Sequence, residues 1–279
     1  MIRVNEILHV SVSILTWISG VLMLVVPTWF AVAAFGSKWN FFDWRFGLGF
    51  MVHEAGFLLL AATAITGVLA LAMIILHRVL SGELFGVIMA PAAALIIAGT
   101  GLGWMYTFEQ ARQDVPILLD ITTDTEEPPH FSANTRVRRN AFPVPIDYTL
   151  HRGEDGRGYA QIQAETYPHL VSWTGQGEAE AVYRRAMRVA RYMGLHIGSA
   201  SESAGMFEAT SEEFWFGFRD DIIVRVREMT EETETGEDRV TGVRVDIRSI
   251  ARDPAHDLGR NARRVEEFLT LMDEVELPL

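Results

Sequence analysis

The chain has 279 residues, of which 49% are apolar, and it contains no cysteine. The lack of cysteine excludes disulfides, thiolate nucleophiles and Cys-ligated zinc or iron–sulfur sites. A formal net charge of −12 at pH 7 argues against nucleic acid as a partner, because phosphates require an excess of Lys and Arg on the binding face.

Charge is distributed unevenly along the chain. Residues 1–108 carry four basic and four acidic side chains, and the remaining 20 basic and 32 acidic ones all follow. This asymmetry predicts an apolar membrane domain at residues 1–108 and a highly charged soluble domain at residues 109–279.

Three stretches of the N-terminal part lack charged side chains: residues 10–37, 57–76 and 84–108. Each exceeds the roughly 18 apolar residues that identify a candidate transmembrane helix. We therefore expect three transmembrane helices, at about residues 8–36, 50–77 and 84–108. A signal peptide cleaved near residues 31–33 (Ala-Val-Ala) is the alternative for the first stretch, but its apolar run is long for one.

Two features of these stretches bear on function. Gly99 and Gly103 form a GxxxG pattern, which lets a neighbouring helix backbone approach closely. His9 begins the first stretch and His77 ends the second, so both lie on the same side and could ligate a haem or chlorin from two helices. Placement at the membrane interface explains both histidines more simply, so no cofactor is predicted.

The soluble part begins with a proline-rich segment, which indicates extended chain and turns on the domain surface. Apolar residues at helical spacing then predict one helix at residues 178–193 and another at about 258–275, with Asp257 as its N-cap. Strands are predicted near residues 195–200, 206–211, 221–228 and 240–249, with an acidic hairpin loop at residues 230–238.

The last two strands alternate between apolar and charged residues. Val224 and Val226 point to one side, and Arg225 and Arg227 to the other. The whole pattern predicts an α+β soluble domain, an antiparallel sheet with helices on one face, attached to three transmembrane α-helices.

An ordered string of motifs resembles the bacterial and plastid family catalogued as domain-of-unknown-function family 1499. The resemblance spans about residues 114–272 and rests on the motifs at residues 120–124, 128–129, 167–168, 207–210, 214–226, 243–249 and 257–262. Residues 251–254 (Ala-Arg-Asp-Pro) and the longer linker at residues 149–158 depart from the family pattern. The resemblance implies no activity. Because members are typically exported or membrane-anchored, it implies a bacterial inner-membrane protein with a periplasmic C-terminal domain.

Arginines crowd the outward face of the predicted hairpin. Arg225, Arg227, Arg244 and Arg248 surround Asp246, with Asp220 and Asp221 at the start of the strand and Trp215 before it. Two interpretations stay open: a site for an anion, a lipid headgroup or an acidic partner, and a solvated cross-strand ion network.

Catalysis has weaker support in the sequence. Glu208, Asp220 and Asp221 with His256 and Asp257 could form a hard-metal or acid–base site, but their spacing matches no known metal-binding loop. No nucleophile elbow, zincin motif or phosphate-binding loop is present.

The sequence therefore predicts a non-enzymatic integral membrane protein that acts as an accessory, assembly or scaffold subunit of a larger membrane complex. Its expected partners are the bilayer and the subunits of that complex. The alternative is a periplasmic binding module for an anionic or lipidic ligand, which would use the arginine-rich sheet face.

Overall fold

The structure is a computed structural model, and it describes residues 2–81, 88–232 and 238–274. The chain divides into two compact units. The helical unit comprises Met1–Ala111 with Phe214–Gly217, and the sheet unit comprises Arg112–Glu213 with Phe218–Leu279.

Three long helices make up the helical unit. They are α1 (Ile2–Lys38), α2 (Phe57–Ser81), which continues a π-helix at Arg45–Gly56, and α3 (Met89–Asp114). All three are long and apolar enough to cross a membrane, with candidate spans at Glu6–Lys38, Arg45–Leu80 and Met89–Asp114. The three helices predicted from the charge-free stretches are therefore confirmed.

Small residues lie at the contact between α3 and α2. Ala94 and Ala98 on α3 are fully buried, and a Cβ added to Gly101 would come within 2.7 Å of the Leu60 side chain. Gly99 and Gly103, the predicted GxxxG pair, are exposed, and a Cβ added to either would meet nothing within 4 Å. Packing within the chain therefore uses one small-residue face of α3 and leaves the GxxxG face open.

Six strands and four helices make up the described part of the sheet unit. In chain order they are β1 (Asp120–Thr122), α4 (Ala133–Arg139), α5 (Tyr159–Thr166), β2 (Trp173–Gly175), α6 (Ala179–Tyr192), β3 (His196–Ser201), β4 (Met206–Glu212), β5 (Arg219–Glu232), β6 (Asp238–Ala251) and α7 (Arg260–Asp273). The sheet is antiparallel, with the order β1-β6-β5-β4-β3, and β2 also pairs with β6.

The predicted antiparallel sheet and its two long helices are confirmed. Both α6 and α7 pack on the apolar face of the sheet, where Val224, Val245 and Ile247 are fully buried. Asp257 accepts hydrogen bonds from the backbone N–H groups of Gly259 (3.1 Å) and Asn261 (3.0 Å) just before α7. The N-cap position is Gly259 and not the predicted Asp257, but the Asp257 side chain satisfies the Asn261 N–H, which the helix leaves unpaired.

The proline-rich segment differs from its prediction. Instead of lying exposed on a finished core, it first joins the sheet as the edge strand β1. Residues 123–152, here called the covering segment, then lie over the second face of the sheet and contain α4 and a 3₁₀ turn at Tyr148–Leu150. Phe131 and Val144 of this segment belong to the buried core. The physical reason is that the second face carries charges, which need polar partners if they are to be buried.

Of the acidic hairpin loop predicted at residues 230–238, residues 230–232 and 238 belong to strands. β5 runs to Glu232 and β6 begins at Asp238, and residues 233–237 lie outside the described part of the chain.

We expect Gly101→Leu to destabilise the helical unit, because its side chain would be forced against Leu60. Overpacking of this kind costs about 1–3 kcal/mol, which is measurable as a lower thermal midpoint of the detergent-solubilised chain. Gly99→Leu on the same helix is the matched control and should leave the midpoint unchanged. Equal losses in both variants would contradict this packing.

Candidate functional site

Strand register places the predicted arginine cluster on a single face of the sheet. Residues opposite each other in antiparallel strands share a face, and Arg225 pairs with Asp246, Arg227 with Arg244 and Ile223 with Arg248. The sequence therefore identified which charged residues lie together. This face is called the polar face below.

The expected solvent exposure of the polar face is wrong. The exposed fractions are 8% for Arg225, 2% for Arg248 and 0% for Asp246, and the side chains of Arg227 and Arg244 are only partly exposed. The covering segment excludes water from the face and supplies the counter-charges, so the network is buried rather than solvated.

The first ion cluster joins three arginines to three carboxylates. Asp246 Oδ2 accepts from Arg225 Nη2 at 2.9 Å, and Asp246 Oδ1 accepts from Arg244 Nε at 2.8 Å. From the covering segment, Asp124 Oδ2 lies 2.7 Å from Arg244 Nη2, and Glu127 Oε2 lies 2.6 Å from Arg227 Nη1. The formal charges of this cluster sum to zero.

Electrostatics lower the pKa of two carboxylates in this cluster. Burial alone would raise the pKa of Asp246, but hydrogen bonds from Ser172, Arg244 and Arg225 outweigh burial and hold that pKa below its ordinary value. The Arg227 hydrogen bond and charge lower the pKa of Glu127 in the same direction.

The second cluster centres on Asp120 and Arg248. The guanidinium binds Asp120 through two hydrogen bonds, Nε to Oδ1 at 2.9 Å and Nη2 to Oδ2 at 2.6 Å. It also donates to the carbonyls of Pro129 (3.3 Å) and Ile146 (2.6 Å). His151 Nε2 lies 3.1 Å from Asp120 Oδ2. Burial by itself raises the pKa of Asp120, and the Arg248 charge with the His151 hydrogen bond reverses that effect.

Asp220 and Asp221 are separated by the strand that carries both. Asp221 lies on the polar face and accepts from Arg139 Nη1 (2.6 Å) and Arg252 Nη2 (2.7 Å). Asp220 points to the opposite, helix-covered face, where Arg260 and Arg264 of α7 lie 2.9 and 2.8 Å away. The prediction that both aspartates belong to the arginine face is therefore wrong for Asp220, because adjacent strand residues face opposite sides.

The candidate metal or acid–base set is not brought together. His256 Nε2 lies 3.1 Å from the carbonyl oxygens of Arg112 and Val115, whereas Asp220 and Asp221 bind arginines on opposite faces. Within residues 2–81, 88–232 and 238–274 no group of three or more His, Asp or Glu side chains is placed to hold a metal ion.

Trp215 belongs to the helical unit, whereas the arginine clusters belong to the sheet unit. It belongs to a tight turn in which Phe216 and Gly217 have φ angles of 61° and 66°, and this turn groups with the helical unit. Its indole packs edge to face on Phe214, with ring centroids 4.8 Å apart.

In the helical unit, α1 and α2 bring the two predicted histidines together. The rings of His9 and His77 pack edge to face with centroids 6.3 Å apart. Ligation of a haem or chlorin by this pair stays the alternative to the interfacial placement expected from the sequence.

Sequence reasoning missed the partners of the arginines. Asp120 lies 128 positions from Arg248, and Asp124 lies 101 positions from Arg225, so no local pattern connects them. The available signal was chemical: a charge-rich strand pair together with an aspartate motif at residues 120–124 in the same domain.

Comparison with known proteins identifies the family. A family model described as "Protein of unknown function (DUF1499)" matches residues 120–272, which is more than half of the chain. The chain therefore belongs to this family. No curated protein and no solved structure gives a significant match.

We expect Arg248→Met to destabilise the sheet unit strongly, because Asp120 would stay buried without its guanidinium partner. Removing one member of a buried ion pair costs about 3–5 kcal/mol. The thermal midpoint of the full chain in detergent measures the loss. The double variant D120N/R248M should recover part of it, and the exposed-pair variant Arg184→Met should change the midpoint little. A double variant no more stable than R248M would argue against the pairing.

Acid should weaken the fold through these aspartates. A carboxyl group whose pKa is lower in the folded than in the unfolded chain stabilises the fold above the unfolded pKa and loses this effect as pH falls. The contributions of Asp221 and Asp246 should therefore be complete above about pH 4 and decline below it. The Asp246→Asn variant should have a lower thermal midpoint than the wild type at pH 7. Between pH 5 and pH 3, however, its thermal midpoint should fall by less than that of the wild type. Parallel midpoint curves for the two proteins would refute this.

Proposed function

We propose that this DUF1499 family member is a non-enzymatic integral membrane protein that serves as an accessory or assembly subunit of a larger membrane protein complex. The observation that carries the proposal is the open GxxxG face of α3. We propose that this face docks a membrane-spanning helix of another subunit.

The argument rests on how α3 uses its small residues. Ala94, Ala98 and Gly101 pack within the chain, whereas Gly99 and Gly103 stay exposed with open space around them. In a bilayer, helices associate through close backbone approach rather than through the hydrophobic effect. A glycine pair facing outward therefore suits a second helix better than it suits lipid.

The number of candidate spans supports the same proposal. One span of about 20 apolar residues is enough to tether a soluble domain, yet this chain has three helices of sufficient length and apolarity. The additional helices provide an intramembrane surface on which a partner can assemble.

We further propose that the membrane is the bacterial inner membrane, with the sheet unit in the periplasm. Support for this placement comes from the exported or membrane-anchored character that the family resemblance implies. The basic residues that flank the spans, Arg3 and Arg78 against Lys38, Arg45 and Arg112, divide almost evenly between the two sides.

Anion or lipid binding through the arginine face receives less support. Arg225, Arg244 and Arg248 each bind a carboxylate of the chain itself. A ligand would have to displace these partners and leave carboxylates buried without a counter-charge, which is costly.

The double variant G99L/G103L should abolish co-purification of the partner subunits after mild detergent extraction from the native membrane. Larger side chains would hold a partner helix away from α3, while the thermal midpoint of the chain should not change. Gly49→Leu is the matched control, because a Cβ at Gly49 also meets nothing within 4 Å. A wild-type protein that purifies alone, or a variant that retains every partner, would contradict the proposal.

A further inference from the structure

Strand β3 is an open edge of the sheet. In the described part of the chain it pairs with β4 and with no other strand, and all of its residues except Ile197 are exposed. Its sequence, His-Ile-Gly-Ser-Ala-Ser, contains no proline or lysine, the residues that commonly block an edge against a further strand. A bulge at Gly198 leaves Ser199–Ser201 as the regular, accessible part of this edge.

A cleft of about 210 Å³ lies between this edge and α4. The sheet contributes one wall, which includes Ser199, Glu208 and Asp221. The other wall is α4 with its N-terminal approach, which includes Ser132, Thr135 and Arg138. An edge strand beside a helix is a geometry suited to peptides that add a strand and insert alternate side chains into a pocket.

Glu208 gives the cleft its charge preference. Its carboxylate accepts hydrogen bonds from Ser132 N–H and from the hydroxyl groups of Ser132, Thr135 and Ser199. Among the described residues no Lys, Arg or His forms an ion pair with it, unlike Asp221 in the same cleft, which lies within 3.9 Å of the guanidinium groups of Arg138, Arg139 and Arg252. A nearly buried carboxylate that lacks a full counter-charge favours a cationic occupant.

The spacing of strands selects a long side chain. Neighbouring strands lie about 4.8 Å apart, so a strand added outside β3 would lie about 10 Å from β4, which carries Glu208. Ser199 pairs directly with Glu208 across β3 and β4, and its side chain is short. To reach Glu208, a side chain of the added strand on the polar face must extend past Ser199. Among cationic side chains, only Lys and Arg are long enough.

We infer that the groove between β3 and α4 binds an extended segment of a partner protein, which adds a strand to β3 and places a Lys or Arg beside Glu208. This site lies entirely within the sheet unit and does not depend on the proposed docking of α3.

Two defined heptapeptide libraries test the inference, one with a central Lys and the other with a central Glu. Binding to the full chain in detergent is measured by fluorescence polarisation. The best peptides with central Lys should bind at least about tenfold more tightly than their central-Glu counterparts, as expected for one charge-assisted hydrogen bond. Peptides N-methylated at every second backbone nitrogen form two series, one methylated at odd and one at even positions. Only the series whose methyl groups replace the N–H groups that point to β3 should lose binding.

Glu208→Gln should reduce the preference for Lys over Glu to near unity, with the thermal midpoint checked in parallel. The peptide N-methylation series does not depend on that variant folding. Three results would each overturn the inference. They are equal binding of the two libraries, unchanged binding of both N-methylated series, and competition by n-butylamine as strong as that by the best peptide. The last result would identify a site for a small cation instead of a strand.

Discussion

The bidentate pair between Arg248 and Asp120 is the interaction on which the sheet unit depends. It joins β6 to the neighbouring strand β1, which leads into the covering segment, at a point with almost no solvent access. The same guanidinium holds the backbone of that segment at Pro129 and Ile146. Because charges cannot stay buried without partners, the polar face and the covering segment require each other. The domain is therefore a three-layer structure, with apolar packing on one side of the sheet and ion pairing on the other.

Long, periodic elements could be predicted from the sequence, and short or non-local ones could not. The three apolar helices, α6, α7 and the pair β5–β6 all show patterns over many residues, and such patterns report burial directly. In contrast, β1 and β2 have three residues each and α4 has seven, too few for a period to appear. The solvent exposure of the polar face was predicted wrongly because alternating Arg and Val is typical of a half-buried strand. Nothing near Arg225 or Arg248 in sequence shows that a distant segment covers them.

Elements pack against one another through different interactions in the helical unit and in the sheet unit. In the helical unit, alanine and glycine lie where α3 contacts α2. In the sheet unit, close approach depends on matching each guanidinium to a carboxylate. Packing within the chain leaves the GxxxG face of α3 open, and Glu208 forms no ion pair among the described residues. We therefore propose both as binding sites for partner proteins.

The adjacent aspartates of β5 restrict insertions and deletions within this strand. Asp220 holds α7 and Asp221 holds the covering segment through Arg139, so two consecutive residues fasten opposite layers to one strand. Inserting or deleting a single residue upstream within β5 would exchange their directions and turn Arg225 towards the apolar layer. Substitution at the exposed outer end of this strand, as at Glu228 or Thr230, leaves these directions unchanged, whereas a change in its length does not. Insertions and deletions in this domain should therefore accumulate in the connections between strands.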